Sequence, residues 1–455
     1  MRYPAYPAYR EVPDSAIGSL PAHWGLKRLR FVTHGIEQGW SPQCDNEPAD
    51  EGSWGVMKVG CVNGHRFDAT ENKALPADLD PLPEYELHPG DVLVSRANTR
   101  ELVGSAAVVP EGIRGKLLLC DKLFRLRPAS ELNPQFLTYF LRTPAARFQY
   151  ERDATGASGS MQNIGQETIK DLSLPLPQAE DQASIASFLN AQCARIDALL
   201  EKKLALIETL KEERFAAISH SVVEGLNGDI VSRVPNQSWL RQLPQHWQVQ
   251  RVKFVARIGN GSTPSRDDST YWTDGSYPWL NSSVVNQEVV TEAEQFVTPA
   301  ALAECHLPII DPPAVLVGIT GQGRTRGMAT TLAFQATINQ HIAYVKPDES
   351  QVDARYLRRV FDAAYAYLRS ESDGGGSTKG AITCEQIAEM PVPVPPLMEQ
   401  VEIALHIERA VARIDAMLAK TQAAIDRLSE YRTALITAAV TGQIDVRDVA
   451  VPTPA

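Results

Sequence analysis

Four stretches of the chain carry residue types that could do chemistry. Gly374-Gly-Gly-Ser-Thr-Lys-Gly380 holds the glycines, lysine and hydroxyls of a phosphate-binding loop. That loop needs GxxxxGK followed by Ser or Thr, so that backbone N–H groups cradle the phosphates and the lysine reaches them. Here the order is reversed. Ile319-Thr-Gly-Gln-Gly-Arg-Thr-Arg-Gly327 follows the strand-like Val315-Leu-Val317 and contains GxG, but no helical pattern follows it, and it reads as a solvated loop. Asp50 with Glu71-x-Lys73 imitates a nuclease carboxylate–lysine set in an acidic, turn-rich segment. Gly156-Ala-Ser-Gly-Ser160 lacks the last glycine of a serine nucleophile elbow. There is no Asn-Pro-Pro-aromatic motif of an amino-methyltransferase. The six cysteines (44, 61, 120, 193, 305, 384) are scattered singly, which suggests neither a zinc module nor a disulfide framework. No catalytic residue and no metal site is expected.

The elements that position the remaining polar residues come from a chain of 455 residues, 44 % apolar and 22 % charged. This balance excludes global disorder and supports about three domains. No run approaches the ~18 apolar residues of a membrane helix, and the opening residues lack the apolar core of a secretory signal. A reduced, cytoplasmic setting is expected. The net charge of −11 argues against indiscriminate nucleic-acid binding and leaves specific binding through local basic loops open.

The chain repeats itself. LPAHWGLKRLRFV (20–32) recurs as LPQHWQVQRVKFV (243–255), an offset of 223, and Val92-Leu-Val94 recurs as Val315-Leu-Val317. Further on, ARIDALL (194–200) recurs as ARIDAML (412–418), an offset of 218. Two copies of so long a period are a duplicated domain, not a solenoid. Each copy opens with a mixed stretch of short β-like runs, turns and a few helical segments. In each copy Pro-x-His-Trp (His23-Trp24, His246-Trp247) reads as a turn anchoring an indole in a small core, its N–H needing one partner.

Each copy closes with about 40 residues, starting near Asp181 and Glu399, with no proline and almost no glycine. A proline-rich stretch precedes each, a helix-start signal. Steps of four and three place Ile403, Ile407, Ile414, Met417, Leu428 and Leu435 on one seam of the second helix, and Ile185, Leu189, Ile196, Leu199, Leu206 and Leu210 on that of the first. Leu200, Ile207 and Ile218 flank the first seam, with Leu418, Ile425 and Ile436 flanking the second. The seams fit a buried helix in an ordinary bundle, or the two long helices packed on each other. The second reading sets them antiparallel, each about 60 Å long at ~1.5 Å per residue. The expected fold is α+β: two pseudo-repeated mixed α/β recognition domains separated by two long antiparallel coiled-coil helices. The expected boundaries are 1–178, a helical spacer 179–230, 231–396, a second spacer 397–445, and a tail 446–455.

The order of these motifs, twice over, resembles the specificity (S) subunit of type I restriction-modification systems. The resemblance rests on the paired LPxHW openings, on GSTPSRDDSTYW (261–272) followed by YPWLNSS (277–283), and on GSTKGAITCEQIAEMPVPVPPLMEQ (376–400). It implies a non-enzymatic, sequence-specific DNA-binding chain. Each recognition domain would read one half of a bipartite, asymmetric target, while the helices fix the spacer. Two modification (methyltransferase) subunits would dock on the chain and carry S-adenosylmethionine. Restriction subunits would bring ATP- and Mg-dependent translocation and cleavage. The first copy departs from the second, with EQGWSPQ (37–43) in place of the GSTPS turn, which implies unlike half-sites.

The candidate DNA contacts are polar loop residues just after strands. They are Arg96, Asn98 and Arg100 in the first copy, and Thr320, Gln322, Arg324 and Arg326 in the second. Each set mixes Arg with amide or hydroxyl groups, which suit guanine and adenine edges. Lys58 and Asn281 occupy equivalent positions. Arg266, Ser282, Ser283, Ser377, Thr378 and Lys379 could bind phosphates or bases. Arg195-Ile-Asp197 and Arg413-Ile-Asp415 could pair across the helices or with partner subunits. Two other functions fit the same pattern: a coiled-coil scaffold whose heads bind proteins, and a stand-alone DNA-binding regulator.

Overall fold

The computed structural model describes residues 3–13, 17–64, 66–154, 161–227, 231–235, 239–240, 242–321, 323–373 and 380–449. The chain is mixed α/β and divides into two compact units, Met1–Lys203 with Ala423–Ala455, and Leu204–Gln422. Each unit therefore combines one globular part with the start of the long helix that follows it and the end of the other long helix. The helices are Ala179–Glu224 and Leu397–Val440, of 46 and 44 residues. Gly225 (φ +79°) and Gly442 (φ +73°) lie just past their ends, in the left-handed conformation that terminates helices.

The first unit is built on a four-stranded antiparallel sheet. Its order is Thr33–Gln38, Leu123–Pro128, Val92–Ser95, Ala106–Val108, with Phe124 opposite both Gln38 and Val94. The second unit repeats that order as Ala256–Asn260, Ile342–Pro347, Ala314–Gly318, Ala329–Leu332, and adds Val289–Val290 in parallel at the edge. The central strand is an unbroken apolar run because it is covered on both faces. Successive side chains point to opposite sides. Val92 and Val94 join the cluster that holds Phe136 and Phe140, whereas Leu93 joins Val56, Leu117 and Leu119. Val315 and Val317 are likewise separated from Leu316. A three-stranded sheet forms the outer layer in each unit, centred on Gly55–Met57 and on Tyr277–Leu280.

The helix segments are part of these cores. Ile185, Leu189, Leu435, Ile436 and Val440 share the first main cluster, and Ile218, Val222, Ile403 and Ile407 share the second. Gln182 and Gln400, both fully buried, lock each helix start by the same three hydrogen bonds. Gln182 Oε1 accepts from Asn133 N, and its Nε2 donates to the Glu131 and Pro177 carbonyls. Gln400 Oε1 accepts from Asp353 N, and its Nε2 donates to Gln351 and Pro395. Asn133 and Asp353 cap the helices Pro134–Leu141 and Ala354–Ala363, which cover the sheets. One buried amide thus ties a long helix to its own domain.

The buried line along the long helices departs from the strict heptad. Ile185, Leu189, Ile196 and Leu210 are buried, but Leu199 and Leu206 stand 48 % and 43 % exposed while Ile207 and Ile218 are buried. In the second helix Ile403, Ile407, Ile414 and Leu435 are buried, and Met417 and Leu428 are half-buried. An α-helix turns every 3.6 residues, so a straight buried line drifts by about 20° per heptad. The flanking positions take over as it does.

In each unit the Pro-x-His-Trp turn receives both helices. His23 Nε2 lies 3.3 Å from Asp181 at the start of the first helix, and Gly442 packs on Pro21 and Trp24 at the end of the second. In the other unit His246 Nε2 lies 2.9 Å from Glu399, and Gly225 packs on Trp247. Both indoles are buried. Trp247 Nε1 donates to Glu399 at 3.1 Å, whereas Trp24 Nε1 has no partner among the described residues. The expected single partner is therefore present in one copy. Glu399 meets His246 Nε2 with one carboxylate oxygen and Trp247 Nε1 with the other, and the shorter Asp181 meets only the histidine.

Candidate nucleic-acid interface

The same backbone bonds gather loops at one edge of the central sheet in both units. Arg96, after strand Val92–Ser95, donates from its N–H to Lys122 O and accepts from Ile164 N. Ile319, after strand Ala314–Gly318, donates to His341 O and accepts from Ile382 N. A further loop is brought in by close approach. A Cβ on Gly39 would fall 2.0 Å from Leu119 O, and one on Gly261 1.7 Å from Ile338 O, so only glycine lets these loops lie on the turn.

In the first unit Lys58 is half-buried at the start of the short helical turn Val59–Val62. Asn98 is buried, donating to Asn63 Oδ1 at 2.8 Å while its own Oδ1 accepts from Thr99 N. Arg96 is half-buried with a long contact to Asp121 O, and Arg100 is exposed. The edge is therefore formed by Arg96, Arg100, Asn63 and the Asp121 turn, with Asn98 acting from beneath.

In the second unit Asn281 caps the turn Ser282–Asn286, its Oδ1 accepting from Ser283 N and Oγ. Its side chain orders Ser282 and Ser283. Arg266 is exposed, stacks 3.8 Å from the Trp272 ring centroid and donates to Gln295 Oε1 at 2.7 Å. Stacking and hydrogen bond hold its guanidinium plane in place. Beside it, the hydroxyl and amide of Thr270 hold the Asp268 carboxyl below its usual range. Thr320 Oγ1 meets His341 Nδ1 at 2.8 Å. Arg324 is exposed, and its carbonyl accepts from Tyr365 Oη.

Arg326 corrects the sequence reading. It is 6 % exposed, and its Nη2 donates to Asp373 Oδ1 at 2.8 Å. A guanidinium taken out of water must be paired, and Asp373 at the end of helix Tyr365–Asp373 supplies the partner. Arg326 therefore braces the loop from inside. Gln322, Ser377, Thr378 and Lys379 lie outside the described residues.

Sequence reasoning passed over Ser41, Asp121, Thr263, Gln340 and His341. Ser41 Oγ donates to Asp121 Oδ1, and Thr263 Oγ1 donates to Gln340 Oε1, each at 2.5 Å. Gln340 Nε2 lies 3.2 Å from His341 Nε2. The one local signal was a polar triplet, Asn339-Gln-His341, between two apolar strand runs. Burial pushes the neighbouring Cys120 thiol up to about 11, so it is no nucleophile at neutral pH. Among the described residues no group of three His, Cys, Asp or Glu could hold a metal ion, and no helix is long and apolar enough to cross a membrane.

A duplicated mixed α/β chain, with polar loops gathered at the same edge of each copy and a long helix after each, defines a class. The chain matches the family described as type I restriction modification DNA specificity domain over residues 45–209 and 244–427. It belongs to that family. It is 33 % identical over 170 residues to the Escherichia coli type I restriction enzyme EcoEI specificity subunit, covering 37 % of this chain and 28 % of that one. It is 20 % identical over 359 residues to the MjaIX specificity subunit of Methanocaldococcus jannaschii, covering 76 % and 77 %. The fold is similar to a solved chain from work on complex assembly and conformational transition of the type I R-M system, with TM-score 0.70 and 17 % identity over 92 % of this chain and 98 % of that one. It is also similar to the HsdS subunit of Thermoanaerobacter tengcongensis, with TM-score 0.52 and 18 % identity over 93 % and 98 %.

Proposed function

We propose that this DNA specificity chain reads a bipartite, asymmetric target. Residues 1–178 and 231–396 are its two recognition domains, each reading one half-site. Residues 179–230 and 397–445 are helical spacers that pack as an antiparallel coiled coil and set the gap. The observation that carries this reading is the repetition of one backbone scaffold with unlike side chains at its edge. Arg96, Arg100 and Asp121 lie on the edge loops of one domain, where Thr320, Arg324 and Gln340 lie on those of the other. A common scaffold gives both domains the same approach to a groove, and different side chains give different letters.

The remaining contacts divide by chemistry. Lys58, Arg266, Ser282 and Ser283 suit phosphate oxygens, and Thr320 and Arg324 suit base edges. Asn98, Asn281 and Arg326 hold loops in register. The methyl transfer belongs to two modification subunits docked on the helices, with S-adenosylmethionine bound there. ATP- and Mg-dependent cleavage belongs to restriction subunits.

The full-length chain, purified with its co-expressed modification subunits, tests the proposal on a randomised duplex library. Two unlike motifs at one fixed separation are expected. Selection of no sequence would favour a protein-binding scaffold. Selection by the chain with no methyltransferase recoverable from cells would favour a stand-alone regulator.

A further inference from the structure

Asp121 and Gln340 occupy the same place in the two copies. Each precedes by two residues the strand that pairs with the central strand, Leu123–Pro128 or Ile342–Pro347. Each is bonded by a hydroxyl from the equivalent loop, Ser41 or Thr263, two residues past the close-packed glycine. The groups that this clamp holds are chemically different.

Gln340 is exposed, and both ends of its amide are engaged. Thr263 Oγ1–H points at Oε1, so the other end of the amide, Nε2, faces His341. His341 Nε2 must then accept, which leaves the proton on Nδ1, donating to Thr320 Oγ1. The hydrogen bonds run in one direction: Thr263 to Gln340 to His341 to Thr320. A side-chain amide has two acceptor lone pairs and two N–H donors. The chain of bonds uses one of each and leaves one of each. An acceptor beside a donor matches N6 and N7 of adenine in the major groove. Asp121 carries only acceptors, one of them engaged by Ser41. It cannot donate to a purine N7, and a carboxylate there suits the N4 amino group of cytosine.

We propose that Gln340 and Asp121 are the equivalent specificity-determining residues of the two domains, Gln340 selecting an adenine in one half-site and Asp121 a cytosine in the other. This inference rests on the bipartite reading above and adds two residues and two letters to it. The two clamps hold the reading groups before DNA arrives, so discrimination is set by side-chain identity at one point on a shared scaffold.

The test uses the full-length chain with its co-purified modification subunits on the randomised duplex library. Gln340→Glu should exchange adenine for cytosine at a single position of one half-site, with a change in preference of about tenfold to a hundredfold. Asp121→Asn should change a single cytosine position in the other half-site and leave the first untouched. Thr263→Val and Ser41→Ala release the clamps without altering the reading groups, and should broaden discrimination at those same positions. These two variants carry the test if an isosteric exchange disturbs the fold. Unchanged motifs in all four variants, with a bipartite motif still selected by the native chain, overturn the inference alone. A native chain that selects no bipartite motif overturns the bipartite reading, and this inference with it.

Discussion

Arg432 donates from Nη1 to Asp197 Oδ1 at 2.8 Å, joining the end of the second long helix to the start of the first within one unit. The other unit holds the same pair from the opposite helices, Arg214 Nε to Asp415 Oδ1 at 2.9 Å. The recurring Arg-Ile-Asp sequences therefore supply an aspartate to each contact, and the arginine comes from elsewhere in the partner helix.

The two pairs differ in burial, and their removal should differ accordingly. Arg432 is 4 % exposed, whereas the side chains of Arg214 and Asp415 are 30 % and 49 % exposed. Asp197→Ala leaves a buried guanidinium without its carboxylate and should destabilise the first unit by about 3 kcal/mol, the low end for a buried pair because the Asp197 side chain is 32 % exposed. Asp415→Ala should cost less than about 1 kcal/mol. Urea unfolding of the full chain measures both.

Asp181→Glu should stabilise the first unit. The longer carboxylate would reach the Trp24 N–H as Glu399 reaches that of Trp247, satisfying a buried donor for a gain of about 1 kcal/mol. A rise of a few degrees in the melting temperature of that unit is the expected result. No change would mean that the indole cannot be reached from that helix start.

Much of this architecture was legible because it is written locally. Proline before, glycine after and neither within marks each long helix, and Val-Leu-Val marks each central strand. What stayed hidden depends on distant residues. Arg326 looks like a loop cation until Asp373, 47 positions away, is placed beside it. Gln340 gains meaning only from Thr263, 77 positions earlier. The heptad count failed at Leu199 and Leu206 because a constant step of seven does not follow a helix of 3.6 residues per turn.

Gly261→Ala should separate the two half-sites functionally. A Cβ there collides with the Ile338 carbonyl, so the loop carrying Thr263 and Arg266 must move. Sequence selection by the assembled complex should lose information in the half-site read by residues 231–396 and retain the other. Equal loss in both would mean that the loop does not belong to one reading head.

Acid should loosen the segment after the second helix. The hydrogen bond from Arg447 holds Asp445 below its usual value of 3.8, so its ionised form favours the folded state. That contribution is complete above the ordinary aspartate range and is lost as pH falls through the lowered value. Asp445→Asn should flatten the acid limb of stability by less than about 1 kcal/mol, since the partner Arg447 side chain is 38 % exposed to solvent. Urea midpoints between pH 5 and pH 3, in roughly half-unit steps, measure it.

The central claim is that two unlike reading heads are spaced by the long helices. Removing seven residues from each helix at equivalent positions, 199–205 and 417–423, shortens both by about 10 Å at ~1.5 Å per residue. Genomic methylation sites should then show both half-site sequences unchanged and the gap between them altered by up to about three base pairs at ~3.4 Å each. An unchanged gap with full methylation, or altered half-site letters, would contradict the claim.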